Sequence, residues 1–166
     1  MEMNDFASVY TNYAGLVRRV LSGLLPASDV DDGVQEVFLK IHRHLDSFRG
    51  ESSLKSWIYR ISFNTAQDIH RSQSWQRLLK PGATVHDRSD FRPNAEVQLG
   101  DHEVLERGLQ KLSFKERSVV VLFYWEEQSL EDIAKHLQIP EGTVKSRLSN
   151  ARKKLQSWLE KEGELL

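Results

Sequence analysis

Leu130-Glu-Asp-Ile-Ala-Lys-His-Leu137, then Gln138-Ile-Pro-Glu-Gly142, then Thr143-Val-Lys-Ser-Arg-Leu-Ser-Asn-Ala-Arg-Lys-Lys-Leu155 is the stretch that decides the fold. Two apolar-periodic segments flank a connection containing Pro140 and Gly142, the length and spacing of a helix-turn-helix. Ile133, Ala134, Leu137, Ile139, Val144 and Leu148 would supply its small core. With Val144 at zero and 100° per residue, Leu148, Ala151 and Leu155 lie within about 40° of it, on the inward face. Ser146, Ser149, Asn150 and Lys153 then point outward, flanked by Lys145, Arg147, Arg152 and Lys154. Residues 143–154 thus carry five cations and no acid. Hydroxyl and amide side chains suit base edges, and flanking cations suit phosphates. Thr143, Lys145, Ser146, Arg147, Ser149, Asn150, Lys153 and Lys154 are therefore candidate DNA contacts. The plainer alternative is a solvated basic face near a helix C-terminus, where cations also favour the dipole. The matching helix and turn before it favour DNA.

Upstream, Ser113 with Glu116 and Ser129 with Asp132 are helix-capping signatures. The apolar run 119–125 could pass for a strand, but the box before it predicts a buried helix. At the other end of the chain, apolar residues from Phe6 to Leu24 keep helical spacing until Pro26. A second helix is expected from a Ser28 cap, with Asp29, Asp31 and Asp32 in its first turns and a core stripe of Val30, Val34, Val37, Phe38, Ile41 and Leu45. Ser52 or Ser53 caps a third, with Leu54, Trp57, Ile58, Ile61, Thr65 and Ile69 inward. The periodicity dissolves between Ser74 and Pro93, where Leu78, Leu79 and Phe91 could touch a partner, and resumes near Glu96. The expectation is an all-α protein of two small helical domains, 1–73 and 96–166, joined by a flexible linker over 74–95, with the helix-turn-helix in the second domain.

The first domain carries polar patterns its core does not need. Asp32, Gln35, Glu36 and Leu39 form a second stripe on their helix, which suits either a second partner or a solvated acidic face. Arg60, Asn64, Gln67 and Arg71 share the side of the third helix opposite Trp57, Ile58 and Ile61. Asn64 and Gln67 can read a base edge, and the arginines can hold phosphates or stack. Tyr59 and Phe63 offer stacking surfaces, with packing against the first helix as the alternative.

Composition removes other classes. The 166 residues are 39% hydrophobic with a net charge of −1, so a nucleic-acid surface must be local rather than global. No run reaches the roughly 18 apolar residues of a spanning helix and no signal peptide is apparent, which points to the cytoplasm without membrane insertion. There is no cysteine, hence no disulfide or thiolate site. His42 and His44 lie about 200° apart on their helix and cannot share a metal. His70, His86, His102 and His136 are scattered and read as solvated. With no Gly-rich phosphate loop and no nucleophile motif, the chain is read as a non-enzyme without catalytic residues, cofactor or metal.

Gly142-Thr-Val-Lys-Ser-Arg-Leu-Ser-Asn-Ala-Arg152 resembles the end of a bacterial extracytoplasmic-function (ECF) sigma factor. Asp29-Val-Asp-Asp-Gly-Val-Gln-Glu-Val-Phe38 resembles the family's second conserved region, and Phe48-Arg-Gly-Glu-Ser-Ser-Leu-Lys-Ser-Trp-Ile-Tyr-Arg-Ile61 followed by Asn64 its promoter-melting part. The resemblance implies an alternative sigma factor that binds core RNA polymerase and directs promoter-specific initiation through −10 and −35 DNA contacts. It implies that Asp32, Gln35, Glu36 and Leu39 dock on polymerase. Phe48, Arg49, Gly50 and Ser52, in the loop before the third helix, would join Arg60, Asn64, Gln67 and Arg71 at the −10 element, and the 143–154 ridge would read −35. Members commonly have an anti-sigma inhibitor, so an anti-sigma factor joins polymerase and promoter DNA among the expected partners. Two positions depart from the family pattern. Gln138 stands where glycine is usual, which predicts about 1 kcal/mol of strain at a positive-φ turn, and Asn150 stands where arginine is common. A stand-alone helix-turn-helix regulator is the alternative, but it leaves the Asp32 stripe and the Asn64 face unexplained and lacks a heptad run for dimerising.

Overall fold

Asp5 starts the first helix, its carboxylate accepting the Ser8 backbone N–H at 3.0 Å. The computed structural model describes residues 5–79, 104 and 107–163, and all regular structure among them is helical. α1 (Phe6–Leu24) buries Val9, Leu16, Val17, Val20, Leu21 and Leu24, and stops where Leu25 turns extended ahead of Pro26. α2 (Ala27–His44) begins one residue before the expected Ser28 cap, with Pro26 in the capping position and no side-chain cap. The Pro26 carbonyl accepts the Asp29 N–H at 2.9 Å, so one first-turn donor is satisfied by the backbone. Asp29 is engaged instead by the Gln73 side chain of α3 (Leu54–Leu79). The α2 core stripe is as expected, with Val30, Val34, Val37, Phe38 and Ile41 buried and Leu45 buried in the following 3-10 turn, Leu45–Ser47.

Ser53 is the cap of α3, its hydroxyl accepting the Ser56 N–H at 3.1 Å. The helix runs through Leu79, six residues into the segment expected to be linker. Residues 74–79 have lost the apolar period but contain no glycine or proline, so nothing in them breaks a helix already under way. Leu78 and Leu79 are highly exposed there; Phe91, the rest of the expected linker and the restart near Glu96 lie outside the described residues.

In the second half both capping signatures close as expected. Ser113 and Glu116 form a full capping box at α4 (Phe114–Val120), and Ser129 accepts the Asp132 N–H at α5 (Leu130–Leu137). The 119–125 run is helical, its last turn widened into a π-helix at Val121–Trp125. Gln138 adopts φ 54 and ψ 46, the left-handed turn predicted for that position. α6 (Glu141–Gly163) starts two residues before Thr143, and the Pro140 carbonyl accepts the Thr143 and Val144 N–H groups. Ile133, Val144, Leu148 and Ala151 form the buried heart of the helix-turn-helix.

The two halves pack on each other, α1 against α4 and the π turn, α3 against α5. Gly23 of α1 permits this approach, because a Cβ there would lie 2.5 Å from a Val121 methyl and 2.8 Å from the Trp125 ring.

Candidate nucleic-acid interface

The outward ridge of α6 stands as the helical wheel requires. Ser146, Ser149, Asn150 and Lys153 are exposed, while Val144, Leu148 and Ala151 are buried beneath them. The flanking cations divide into groups. Lys145 pairs with Glu141 one turn earlier at 2.9 Å. Lys154 turns back to the Glu116 carboxylate at 2.8 Å, and Arg152 donates to the Tyr124 hydroxyl at 2.8 Å while lying over the Phe123 and Tyr124 rings. Burial pushes the Glu116 carboxyl up, but Lys154 and the Ser113 cap outweigh it and hold it below its ordinary value. Half-buried Arg147 and Thr143 complete the set. The charge of Lys154 is thus partly spent inside its own domain, whereas Lys153 faces solvent.

On α3, Asn64 and Arg71 are exposed and Arg60 and Gln67 half-buried, on one side of the helix. The preceding loop turns at Gly50, whose φ of 71 suits glycine, with Arg49 exposed and Ser52 half-buried. Phe48 packs on Trp57, ring centroids 5.2 Å apart. Phe63 is buried, the packing alternative rather than a free stacking surface. Tyr59 is likewise closed off. It is 1% exposed, and its hydroxyl donates to Glu126 at 2.7 Å. Burial, then the bond to Glu126, raises its pKa well above the ordinary phenol value.

Asp32, Gln35 and Leu39 are exposed and Glu36 half-buried, away from the α2 core stripe. Asp32, Gln35 and Leu39 line a groove between α1 and α2 with Tyr10 and Phe38, so the stripe borders an apolar strip.

Three residues that sequence reasoning missed sit between the halves. Glu126 has a side chain only 4% exposed and joins Arg19 at 2.9 Å as well as Tyr59. Gly23 is the close-approach point. His136, expected to be solvated, is buried, with Nδ1 2.6 Å from the Gln128 side-chain oxygen and Nε2 2.8 Å from the Ser56 hydroxyl. The Gln128 oxygen accepts from Nδ1 and the Ser56 hydroxyl can either donate to Nε2 or accept from it, so these contacts accommodate the neutral imidazole that burial favours. No periodicity marks such residues, because their partners lie up to 107 positions away. His86 and His102 lie outside the described residues.

Residues 9–76 match the family described as Sigma-70 region 2, and residues 102–155 that described as Sigma-70, region 4. Over 93% of its length the chain is 32% identical to the ECF RNA polymerase sigma-E factor of Haemophilus influenzae, covering 85% of that protein. The chain belongs to the ECF sigma factors. The Escherichia coli ECF RNA polymerase sigma-E factor is 30% identical over 91% of the chain and 84% of its own length. The sigma factor RpoE from Bartonella quintana, solved in complex with the anti-sigma factor NepR, superimposes with a TM-score of 0.79 over 95% of this chain and 98% of that one, at 26% identity. CnrH, solved with the cytosolic domain of CnrY, shares the fold, with a TM-score of 0.67 at 24% identity over 93% of this chain and 87% of that one. As an ECF sigma factor the chain is an alternative sigma factor of promoter-specific transcription initiation, and a stand-alone regulator is not favoured. Sigma factors are initiation factors rather than enzymes. Among the described residues no helix is long and apolar enough to cross a membrane.

Proposed function

We propose that this sigma factor divides its work among three surfaces. The Asp32, Gln35, Glu36 and Leu39 stripe docks core RNA polymerase, acid and amide groups meeting a basic surface while Leu39 and the groove beside it bury apolar area. The 48–53 loop with Arg60, Asn64, Gln67 and Arg71 takes the −10 element. An unpaired base there must recover a few kcal/mol of lost stacking from its new contacts. The outward ridge of α6 reads −35, its short polar side chains at base edges and Lys145, Arg147 and Lys154 near phosphates. The connector after the first domain lets the two DNA modules separate, and the protein works in the cytoplasm as a non-enzyme. An anti-sigma factor is proposed as a further partner, in keeping with the Bartonella quintana relative's solved complex.

The observation that carries this reading is the exposed α6 ridge, free of acidic residues, on the same chain as an exposed amide-bearing face on α3. Reconstitution with bacterial core polymerase and genome-wide run-off transcription tests it. Discrete start sites that depend on the protein are expected; transcription no different from core enzyme alone would overturn it.

A further inference from the structure

With Asn64 at zero and 100° per residue, Arg60, Gln67 and Arg71 lie within about 60° of it on α3, and so do Trp75 and Leu78. The face assigned to the −10 element therefore continues past Arg71 to the end of the helix. Asn64, Gln67 and Arg71 line a cleft with Gln138, Ile139 and Arg147 of the helix-turn-helix, and Trp75 stands one turn beyond it. Trp75 is 67% exposed, Leu78 72% and Leu79 78%. Single exposed apolar residues are common, but three at i, i+3 and i+4 are neighbours and make a patch.

The helix is held almost to this point. Gln73, on the opposite side, engages Asp29 of α2, and the His70 ring lies 4.9 Å from that of Phe114. Trp75 is thus presented by a fixed turn. Tyr59 and Phe63 are buried, which leaves Trp75 as the most exposed aromatic ring of α3. Residues 69–86 contain Arg71, Arg77 and Lys80 and no acid, in a chain whose net charge is −1. Local positive charge beside an open aromatic ring suits a polyanion that carries stackable bases. Anionic bilayers also attract basic helices with an apolar side. The rest of this face is amides and arginines, however, which an apolar phase would take in only at a cost.

We propose that Trp75 is a further DNA-contacting residue of this sigma factor: its ring stacks on a promoter base at the upstream edge of the −10 element, with Arg71 holding a phosphate beside it. The direction follows from the chain, which leaves the first domain at this end of α3 for the −35-reading module. Eleven helical steps separate Trp75 from Asn64, about 17 Å at 1.5 Å per residue, or roughly five bases at 3.4 Å along a strand. The proposal rests on the assignment of α3 to the −10 element and adds a contact separate from the base that Asn64 reads.

The test uses holoenzyme assembled from the full-length chain and bacterial core polymerase. Its probe is fork-junction DNA built from a start site mapped by run-off transcription, duplex upstream and single-stranded through the −10 element. Bases along the probe are replaced one at a time by 2-aminopurine, whose emission falls when it stacks on an indole. Quenching is expected about five bases upstream of the position at which Asn64→Ala removes base preference, and it should vanish in Trp75→Ala. Trp75→Ala should weaken binding of the probe about 5- to 150-fold, the range for losing one stacked base, and Trp75→Phe should restore much of it. A probe cut back to the downstream side of the quenched position should bind the parent and Trp75→Ala alike while Asn64→Ala still loses affinity. Helical signal, thermal midpoint and co-migration with core should not change.

Equal binding of parent and Trp75→Ala to the full probe would overturn the proposal, as would a loss that persists on the shortened one. Lost co-migration with core would make Trp75 a polymerase contact instead. Capture of the full chain by phosphatidylglycerol vesicles, abolished by Trp75→Ala with DNA binding unchanged, would assign the patch to a membrane surface. A loss in Asn64→Ala alone overturns only the Trp75 contact. No loss in either variant means that the assignment of α3 to the −10 element has failed and takes this contact with it.

Discussion

The Tyr59 hydroxyl donates a 2.7 Å hydrogen bond to the Glu126 carboxylate, joining α3 to the turn before the helix-turn-helix across 67 residues of sequence. The Tyr59 ring, a stacking surface by its place in the sequence, is buried, and its hydroxyl is bonded to an acid of the second domain. Removing that hydroxyl leaves Arg19 as the remaining partner of Glu126. A buried carboxylate that loses a hydrogen bond loses about 1.5–3 kcal/mol. Tyr59→Phe is accordingly expected to destabilise the full chain by about that amount in chemical denaturation. No change would mean that the bond does not persist in solution.

Asn64→Ala and Lys153→Ala should separate the two DNA surfaces. The first should impair promoter opening while initial recruitment persists, read by permanganate reactivity against duplex binding. The second should weaken recruitment to −35-dependent promoters by about 1–3 kcal/mol if Lys153 reads a base, or flatten the salt dependence if it holds a phosphate. Equal losses of both steps in both variants would rule out the division.

Replacing Asp32 and Glu36 together with lysine tests the docking stripe. Asp32 is exposed, and the sole ion pair of Glu36 among the described residues is a 4.0 Å contact to Lys40, so the thermal midpoint should move by less than about 0.5 kcal/mol equivalent. Co-migration with core polymerase should nevertheless disappear, because lysine would face a basic partner surface. A folded double variant that joins the enzyme normally would reduce the stripe to a solvated face.

His136 makes stability depend on pH. Burial holds its pKa below 6.5, helped by Arg60, Lys55 and Lys135 and opposed by Asp132. The unfolded form therefore binds a proton more readily than the folded one. Its contribution is fully present above about pH 6.5 and is lost as pH falls toward the depressed value. Between about pH 5 and pH 8, the stability difference between the parent and His136→Gln should shrink on the acid side. A constant difference would contradict the buried neutral imidazole.

Gln138→Gly should stabilise the protein by about 1 kcal/mol in chemical denaturation, since the left-handed φ of 54 strains any residue with a Cβ. Loss of stability would mean that the glutamine side chain contributes more than its backbone costs.

What the sequence disclosed follows from which forces are local. The α1 bounds, the α2 core stripe, both capping signatures, the helix-turn-helix core and the strain at Gln138 rest on interactions within a few residues, and all stand in the structure. The cap of α2 lies two residues ahead of Ser28, which is a good cap in isolation, because Pro26 fixes the backbone first. The end of α3 is not marked by the amphipathic period, which stops before the helix does: Trp75, Leu78 and Leu79 are exposed yet helical. Glu126, His136 and Gly23 are not legible in the sequence because each acquires its meaning from a residue on the other domain. A buried glutamate and a solvated one look alike in sequence.

The α6 ridge also bears on how such a protein diverges. Ser149, Asn150 and Lys153 project from a helix whose register is set on its far side by Val144, Leu148 and Ala151. Substitutions there alter what is read while leaving the scaffold's packing untouched, so a duplicated copy can drift to new target sites without first acquiring spare stability. Arg147 has no such freedom, because it also faces the cleft toward α3. Drift at that position would change target choice and domain closure together, and lineages should explore it more slowly than its neighbours on the ridge.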